Sequence, residues 1–391
     1  MNDMVNMSHH EPRAGRESIA RVRITLDATP LLGTRTGIGR YVAQLLPALP
    51  PALRRRGLDP DVRAVTWTAR GGRLTDLPAG VTQVGLPAPA RVLRAAWLRT
   101  DHPRIELLAG RCDVFHGTNF VSPPTRSAHE VVTIHDLTYE LHSTTVSADS
   151  LAYRGLVPRA LDRGAHVVTP SAAVADAVRS FYGLGADRVT ATPLGVDAAW
   201  FAAVPAADDW LARARLPHEY LLFVGSLDPR KNLPRLLDAH AQLRALDPTT
   251  PDLVLAGPAG REHDLAHRPG VHLTGWLADA DLRALVAGAR ALVLPSVDEG
   301  FGLPALEALA CGRPVAVADI PALREVTGGL APAGDPLDTD ALAAAVAAAL
   351  ALPDDDAHRS ARRDWARRWT WDACADRTVD AYLAAGAGRD G

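Results

Sequence analysis

Residues 298–307 read Asp298-Glu-Gly-Phe-Gly-Leu-Pro-Ala-Leu-Glu307, directly after the apolar run Ala291–Leu294 and a Pro295-Ser296 turn. A buried strand, a glycine turn and a helix in that order form the repeating unit of a parallel sheet, so this stretch decides the fold class. Gly300 and Gly302 permit a tight turn and close backbone approach, and Pro304 suits the first position of the helix. The loop exposes unpaired N–H groups at the positive end of a helix dipole, which makes an anion site. Glu299 and Glu307 flank that site and would repel a phosphate, so they are expected to bind what is attached to it. Sugar hydroxyls on either side of a diphosphate fit, because carboxylates accept O–H bonds strongly. Taken alone, the same pattern also describes a solvated helix start with favourable dipole charges.

A second loop, Gly225-Ser-Leu-Asp-Pro-Arg-Lys-Asn232, follows the apolar run Tyr220–Val224. Arg230 offers a fork for two phosphate oxygens and Lys231 a compact point charge. Lys231 is the single lysine among 42 basic residues, which marks a position where arginine does not serve; outside the first twenty residues the only asparagines are Asn119 and Asn232. A third loop, Thr34-Arg-Thr-Gly-Ile-Gly-Arg-Tyr41, opens the first helix and supplies only half of a dinucleotide fingerprint, since Val42 stands where G-x-G-x-x-G needs its last glycine. Two apolar strands end in histidine, at Val114-Phe-His-Gly-Thr-Asn-Phe120 and Val131-Val-Thr-Ile-His-Asp-Leu-Thr-Tyr139. There His135 and Asp136 are candidates to orient a sugar or acceptor hydroxyl, or are simply structural strand ends.

Outward from these loops, strand–loop–helix units fill the chain twice. Val22–Leu26, Val62–Trp67, Asp113–His116, Val131–Ile134 and His166–Thr169 are the expected strands of a first half, with helices at Ile38–Leu53 and Ala172–Phe181. Tyr220–Val224, Asp252–Ala256, Val271–Leu273, Ala291–Leu294 and Pro314–Ala318 are those of a second half, with helices near 233–246, 280–289, 304–310 and 338–350. The fold class is therefore α/β, two doubly wound Rossmann-like domains facing across a cleft. Pro193-Leu-Gly-Val-Asp197 reads as the linker, with Gly195 as a hinge. The expected division is a disordered leader over 1–20, an acceptor-side domain over 21–195, a nucleotide-sugar domain over 196–364 and a terminal helical segment over 365–391. Trp365, Trp369 and Trp371 in that segment read as structural anchors.

Composition narrows the function. The chain has 391 residues, 47% hydrophobic and 22% charged, with a net charge of −3, which gives no global attraction to nucleic acid. Cys112, Cys311 and Cys374 are scattered and odd in number, so a reducing compartment without structural disulfides is expected. No run is long enough to span a bilayer. Pro89–Arg99 reads either as an ordinary surface helix or as a basic amphipathic one whose Arg91, Arg94, Arg99 and Trp97 would meet an anionic membrane.

The Glu299–Glu307 spacing matches the E-x7-E motif of family-4 retaining glycosyltransferases, the group 1 enzymes of GT-B fold, and the chain resembles that family over about residues 21–385. The stretches HGTNF, TIHDLTYELH and VGSLDPRKN resemble its mannosyl- and rhamnosyltransferase branch, which builds surface polysaccharides or glycolipids. The resemblance implies that Glu307 holds the nucleotide ribose and that Glu299 contacts the transferred sugar. Main-chain amides of Gly300, Phe301, Gly302 and Leu303 would hold the diphosphate with Arg230 and Lys231. Gly39 would approach from the first domain and His135 would contact the sugar, with Asn119, Asp136 and Tyr139 on the acceptor side. Many members carry arginine where this chain has Ser226, which shifts the phosphate load onto Arg230. The resemblance also implies a last helix that crosses back to the first domain. The expected donor is GDP-mannose and the acceptor a glycan or lipid-linked glycan, with transfer in the cytoplasm, at most peripheral to the membrane. No cofactor is implied, and the absence of a D-x-D motif at a strand end predicts metal independence. Two rivals remain, a GT-B nucleotide-sugar epimerase needing no acceptor and a non-catalytic sugar-nucleotide binder.

Overall fold

The computed structural model describes residues 20–33, 37–69, 72–142, 146–258 and 268–386. The expected leader and the loop residues Thr34, Arg35 and Thr36 lie outside this set, apart from residue 20.

Seven parallel strands build the first sheet: β1 Arg21–Asp27, β2 Asp59–Val65, β3 Val81–Val84, β4 Val114–Gly117, β5 His129–Thr133, β6 His166–Thr169 and β7 Val189–Ala191. Their order is β3-β2-β1-β4-β5-β6-β7. Six parallel strands build the second: β8 Tyr220–Val224, β9 Asp252–Ala256, β10 Val271–Gly275, β11 Ala291–Leu294, β12 Val315–Ala318 and β13 Ala333–Gly334, in the order β10-β9-β8-β11-β12-β13. The central strands are unbroken apolar runs because helices cover both faces; every residue of β8, β11 and β12 is buried. The sequence pattern misses β3, β7 and β13. These edge strands are two to four residues long and mostly half-exposed, so they carry no apolar run.

In each sheet the winding reverses once, between β1 and β4 and between β8 and β11. Such switch points leave a crevice beyond the carboxyl ends of the strands, where ligands bind. Two chain crossings join the domains, and they run side by side. Val196 N–H donates to Trp369 O at 3.2 Å. A Cβ on Gly195 would lie 2.2 Å from Trp371 N, so only glycine lets the crossings touch.

The last helix, Trp371–Ala385, packs on the first-domain helix Gly37–Arg55 and on β5 and β6. Its Tyr382 hydroxyl meets His116 Nδ1 at 2.7 Å. The tryptophans anchor this return: Trp365 Nε1 donates to Val326 O at 2.8 Å, and Trp369 meets the Phe301 ring edge-on at 5.4 Å. The helix expected at residues 89–99 forms over Ala90–Trp97, but Trp97 is buried and its indole donates to Pro103 O at 2.9 Å. The amphipathic reading is corrected on that point: the tryptophan faces the core, and the exposed stripe is Arg91, Val92, Ala95 and Arg99. Among the described residues no helix is long and apolar enough to cross a membrane. Cys112, Cys311 and Cys374 are free and buried.

Candidate active site

Both central strands of the second sheet end in the loops singled out above. After β8, Gly225 turns the chain into a short 3-10 turn, Pro229–Lys231, which closes on Asn232 with φ +57°. Asparagine tolerates that left-handed conformation. The Asn232 side-chain amide then donates to Pro295 O at 3.0 Å and Pro336 O at 2.8 Å, tying the loop to the end of β11. Thus Asn232 is a structural brace.

The brace places two cations on one carboxylate. Lys231 Nζ lies 2.5 Å from Glu299 Oε1, and Arg230 Nη1 lies 3.2 Å from Glu299 Oε2 and 3.0 Å from Asp298 O. Ser296 Oγ adds a third donor to Glu299 at 2.7 Å. Burial alone would raise the Glu299 carboxyl, but Lys231, Arg230 and these hydrogen bonds outweigh it and hold it down at about 2. Glu299 is therefore a buried, permanent carboxylate. Lys231 is pushed down by burial and by Arg230, with Glu299 opposing.

Next to Glu299 the helix Leu303–Ala310 begins. The main-chain N–H groups of Phe301, Gly302 and Leu303 have no acceptor among the described residues, the expected state of an open helix start. Pro304 occupies the second helical position, one residue later than expected. Gly300 is packed against the opposite domain, where an added Cβ would lie 2.0 Å from His135 O. Ser171 Oγ donates to Gly300 O at 2.7 Å and Thr138 Oγ1 to Asp298 Oδ2 at 2.6 Å, so the first domain grips this loop on both sides.

Glu307 sits one turn further on, buried, and the guanidinium of Arg40 from the first domain reaches across to its Oε1. Its Oε2 is buried without a partner. Here burial wins over Arg40 and pushes the carboxyl up to about 7. On the facing wall, His135 Nε2 donates to Thr118 O at 2.8 Å, which fixes the proton on Nε2 and leaves Nδ1 as an acceptor. Burial pushes its pKa down, against the Thr118 carbonyl and Asp136, so the ring is neutral.

Apart from the buried Glu307, which is reached through Arg40, these groups share one cleft of about 380 Å³ between the domains. It is lined by His135, Asp136, Arg230, Lys231, Glu299 and the 300–303 turn. Arg40, Tyr41 and the exposed Trp276 also line it. Four expected residues lie outside its lining, the buried Glu307 among them. Gly39 is buried inside its helix, and its neighbours Gly37, Ile38 and Arg40 line the cleft instead. Asn119 lies beyond His135, at the end of β4. Tyr139 is corrected from an acceptor-side residue to a core one: its ring meets Phe120 and its hydroxyl bonds that of Tyr182 at 2.8 Å. Sequence reasoning passed over Arg40 and Ser296. Arg40 stands within the glycine loop, beside a phosphate-binding candidate, and that position was the available signal.

Both domains have counterparts among known proteins. Residues 35–200 match the family described as Glycosyltransferase Family 4, and residues 218–351 that described as Glycosyl transferases group 1. The chain is 28% identical over 389 residues to the O-antigen chain mannosyltransferase B of Escherichia coli, covering 92% of this chain and 99% of that protein. Its fold is that of sucrose-phosphate synthase from Thermosynechococcus elongatus (TM-score 0.68, 20% identity, 93% and 98% of the two chains). It is also that of HepE from Anabaena, solved with UDP and glucose (TM-score 0.62, 17% identity, 93% and 99%). The two facing parallel-sheet domains are thus those of the GT-B fold.

Proposed function

Because the chain belongs to the family-4, group 1 glycosyltransferases, we propose that it moves a hexose, mannose first, from a nucleoside diphosphate sugar to a hydroxyl of a glycan or glycolipid, with retention at the anomeric carbon. The observation that carries this reading is the convergence of an open helix start, the Arg230–Lys231 pair and the ionised Glu299 on one cleft.

As the glycosidic bond breaks, the sugar becomes oxocarbenium-like and the diphosphate gains negative charge. The free amides of the 301–303 turn and the two cations face that charge, and they are worth most in the transition state. Lys231 and Arg230 carry several N–H groups each, so they can hold Glu299 and a phosphate oxygen together. Glu299 accepts hydroxyls of the transferred sugar. The unpartnered Oε2 of Glu307 awaits a ribose hydroxyl, and Trp276 offers a surface on which a base can stack. The His135 Nδ1 lone pair accepts a sugar hydroxyl, while the leaving phosphate takes the proton of the acceptor. With cations placed on the diphosphate, no metal is needed for charge neutralisation, and turnover in EDTA is expected to be undiminished.

A mannose donor is supported by the Escherichia coli relative, whose name states mannosyl transfer; GDP is the proposed carrier. The buried free thiols fit a cytoplasmic site of action. Arg91 and Arg99, with the exposed Val92, Leu86 and Leu107, offer a peripheral contact for an anionic membrane. The deciding experiment is a thermal-shift panel of nucleotide sugars followed by acceptor-dependent release of the nucleoside diphosphate. A selective shift with GDP-mannose and acceptor-dependent GDP release is expected. Binding without turnover under any acceptor identifies a sensor, and donor isomerisation without acceptor an epimerase.

A further inference from the structure

Two further hollows lie along the carboxyl edge of the first sheet. The nearer, about 100 Å³, lies at the β1/β4 switch point, with Trp67, Trp97 and Tyr153 as aromatic wall and Asp27, Arg94 and Asn119 as polar side. Asn119 Oδ1 is buried there with no hydrogen-bond partner. Asp27 is buried and accepts from Thr29 N–H at 2.9 Å and from Thr29 Oγ1 at 2.5 Å. The Arg94 guanidinium stands within electrostatic reach of both Asp27 and Tyr153. This hollow shares a wall with the catalytic cleft. Thr118 Oγ1 donates to Asp27 O at 2.6 Å while Thr118 O accepts from His135, and Phe120 stacks on Tyr153 at 4.7 Å and meets His135 edge-on at 5.5 Å.

The farther hollow, about 400 Å³, lies between the ends of β2 and β3. Its lining mixes polar groups with Val84, Leu86 and Pro87 and is braced: Gln83 Nε2 donates to Gly72 O at 2.8 Å and to Thr66 Oγ1 at 3.3 Å, and the exposed Arg73 joins the lining. In sheet order the outer hollow sits at β3/β2, the inner one at β2/β1/β4, and His135 at the end of β5. With strands about 4.8 Å apart, the outer hollow lies roughly 17 Å from His135. One sugar ring does not span that distance.

Resting on the transferase reading above, we propose that the two hollows are successive subsites for a glycan chain of three or more sugars, the acceptor being the growing end of an oligosaccharide rather than a free monosaccharide. The inner hollow has room for the hydroxyl-bearing edge of one ring, whose face lies on an aromatic wall while its hydroxyls meet Asn119, Arg94 and Asp27. The outer hollow has the volume of a small-ligand site and takes a ring further from the reacting end.

The test uses the full chain, GDP-mannose as donor, and methyl α-mannoside and α-linked mannobiose, mannotriose and mannotetraose as acceptors. The acceptor kcat/KM is expected to climb at least tenfold from the monosaccharide to the tetrasaccharide. Arg94→Ala raises the acceptor KM at every length. Arg73→Ala and Thr66→Val each lower the climb only beyond the disaccharide; Arg73 is exposed, so that variant folds whatever the fate of the other. A flat length profile, or outer-hollow variants that slow all acceptors alike, overturns the subsites. Acceptor-dependent release of GDP with any one of these sugars reports separately on the transferase reading. Its presence with a flat profile overturns the subsites alone, and its absence with every sugar nucleotide and every acceptor overturns both.

Discussion

Two carboxylates eight residues apart in one motif live in opposite surroundings. Glu299 is ringed by groups of its own domain, Lys231, Arg230 and Ser296, and stays ionised with its carboxyl at about 2. Glu307, one helical turn deeper, takes its hydrogen-bonded counter-ion, Arg40, from the other domain, with Arg283 of its own domain adding a weaker pull, and burial pushes its carboxyl up to about 7. The difference separates a preformed half-site from a conditional one. Charge at Glu299 belongs to the second domain whatever the cleft does, whereas charge at Glu307 depends on the domains standing close. On the proposed reading, a nucleotide that binds first to the second domain meets a finished phosphate and sugar site beside an unfinished ribose site.

The largest effect that sharpens this contrast is expected at Lys231. Lys231→Ala removes the shortest contact to Glu299 and one of the two cations proposed to face the diphosphate, and the expected loss is about 10²–10³ in kcat at saturating donor. Lys231→Arg is not expected to restore activity, because the position is buried and a planar fork needs room that a point charge does not. Undiminished turnover in Lys231→Ala breaks the preformed half of the comparison. Next in size is Gly300→Ala. Its Cβ would meet the backbone carbonyl of His135 at 2.0 Å, and backbone yields only if the domains part. A loss of tenfold or more in donor kcat/KM is expected. It should come with a larger radius of gyration in small-angle scattering and unchanged helix content.

The carboxylates also make opposite demands of pH. Glu307 has a folded pKa near 7 against an unfolded value near 4.5, so the native state holds a proton that the unfolded chain has released. Stability then falls as pH rises from about 4.5 to 7, by about 3 kcal/mol at most. Glu299 is depressed in the folded state, so its contribution is present above about pH 4.5 and is lost as pH falls toward 2. Urea unfolding at pH 5 and pH 7 should show the first slope in the wild type and its absence in Glu307→Gln. An unchanged slope in that variant means that Arg40 neutralises Glu307 fully, and the contrast between the two sites disappears.

Much of this was legible in the sequence, for identifiable reasons. Strands buried on both faces must be apolar throughout, so β8, β9, β11 and β6 stand out with the same limits in sequence and structure. The helix Leu233–Leu246 is flagged by its proline start. The Glu299 site is built from two loops at adjacent strand ends, each carrying its chemistry in consecutive residues. What stayed hidden is what depends on pairing between distant segments. Nothing near residue 40 announces Glu307, and no local pattern says that Tyr139 spends its hydroxyl on Tyr182. From sequence alone Trp97 fits an ordinary surface helix or a membrane-facing one, because periodicity gives a helix its faces without saying which faces the core.

The smallest effect is expected at the seam that brings Arg40 within reach of Glu307. Glu325 of the second domain accepts from Ala172 N–H at 3.0 Å and Ala173 N–H at 2.9 Å, at the start of the first-domain helix Ala172–Tyr182. A carboxylate on a helix start gains from both the free N–H groups and the dipole, about 1 kcal/mol in all. Ser171 still caps Val174 N–H when Glu325 is replaced, so the helix itself persists. Glu325→Gln removes the charge from a contact between domains while leaving each domain intact. The expected outcome is a donor KM raised a few-fold with kcat nearly unchanged, because closure costs more while the closed site is the same. Raised ionic strength should narrow the gap between variant and wild type, since a half-buried charge-to-dipole contact at the domain seam is still partly screened. If Glu325→Gln lowers kcat instead and leaves KM alone, closure is not the step at which the two half-sites are joined, and Arg40 reaches Glu307 by a route other than this seam.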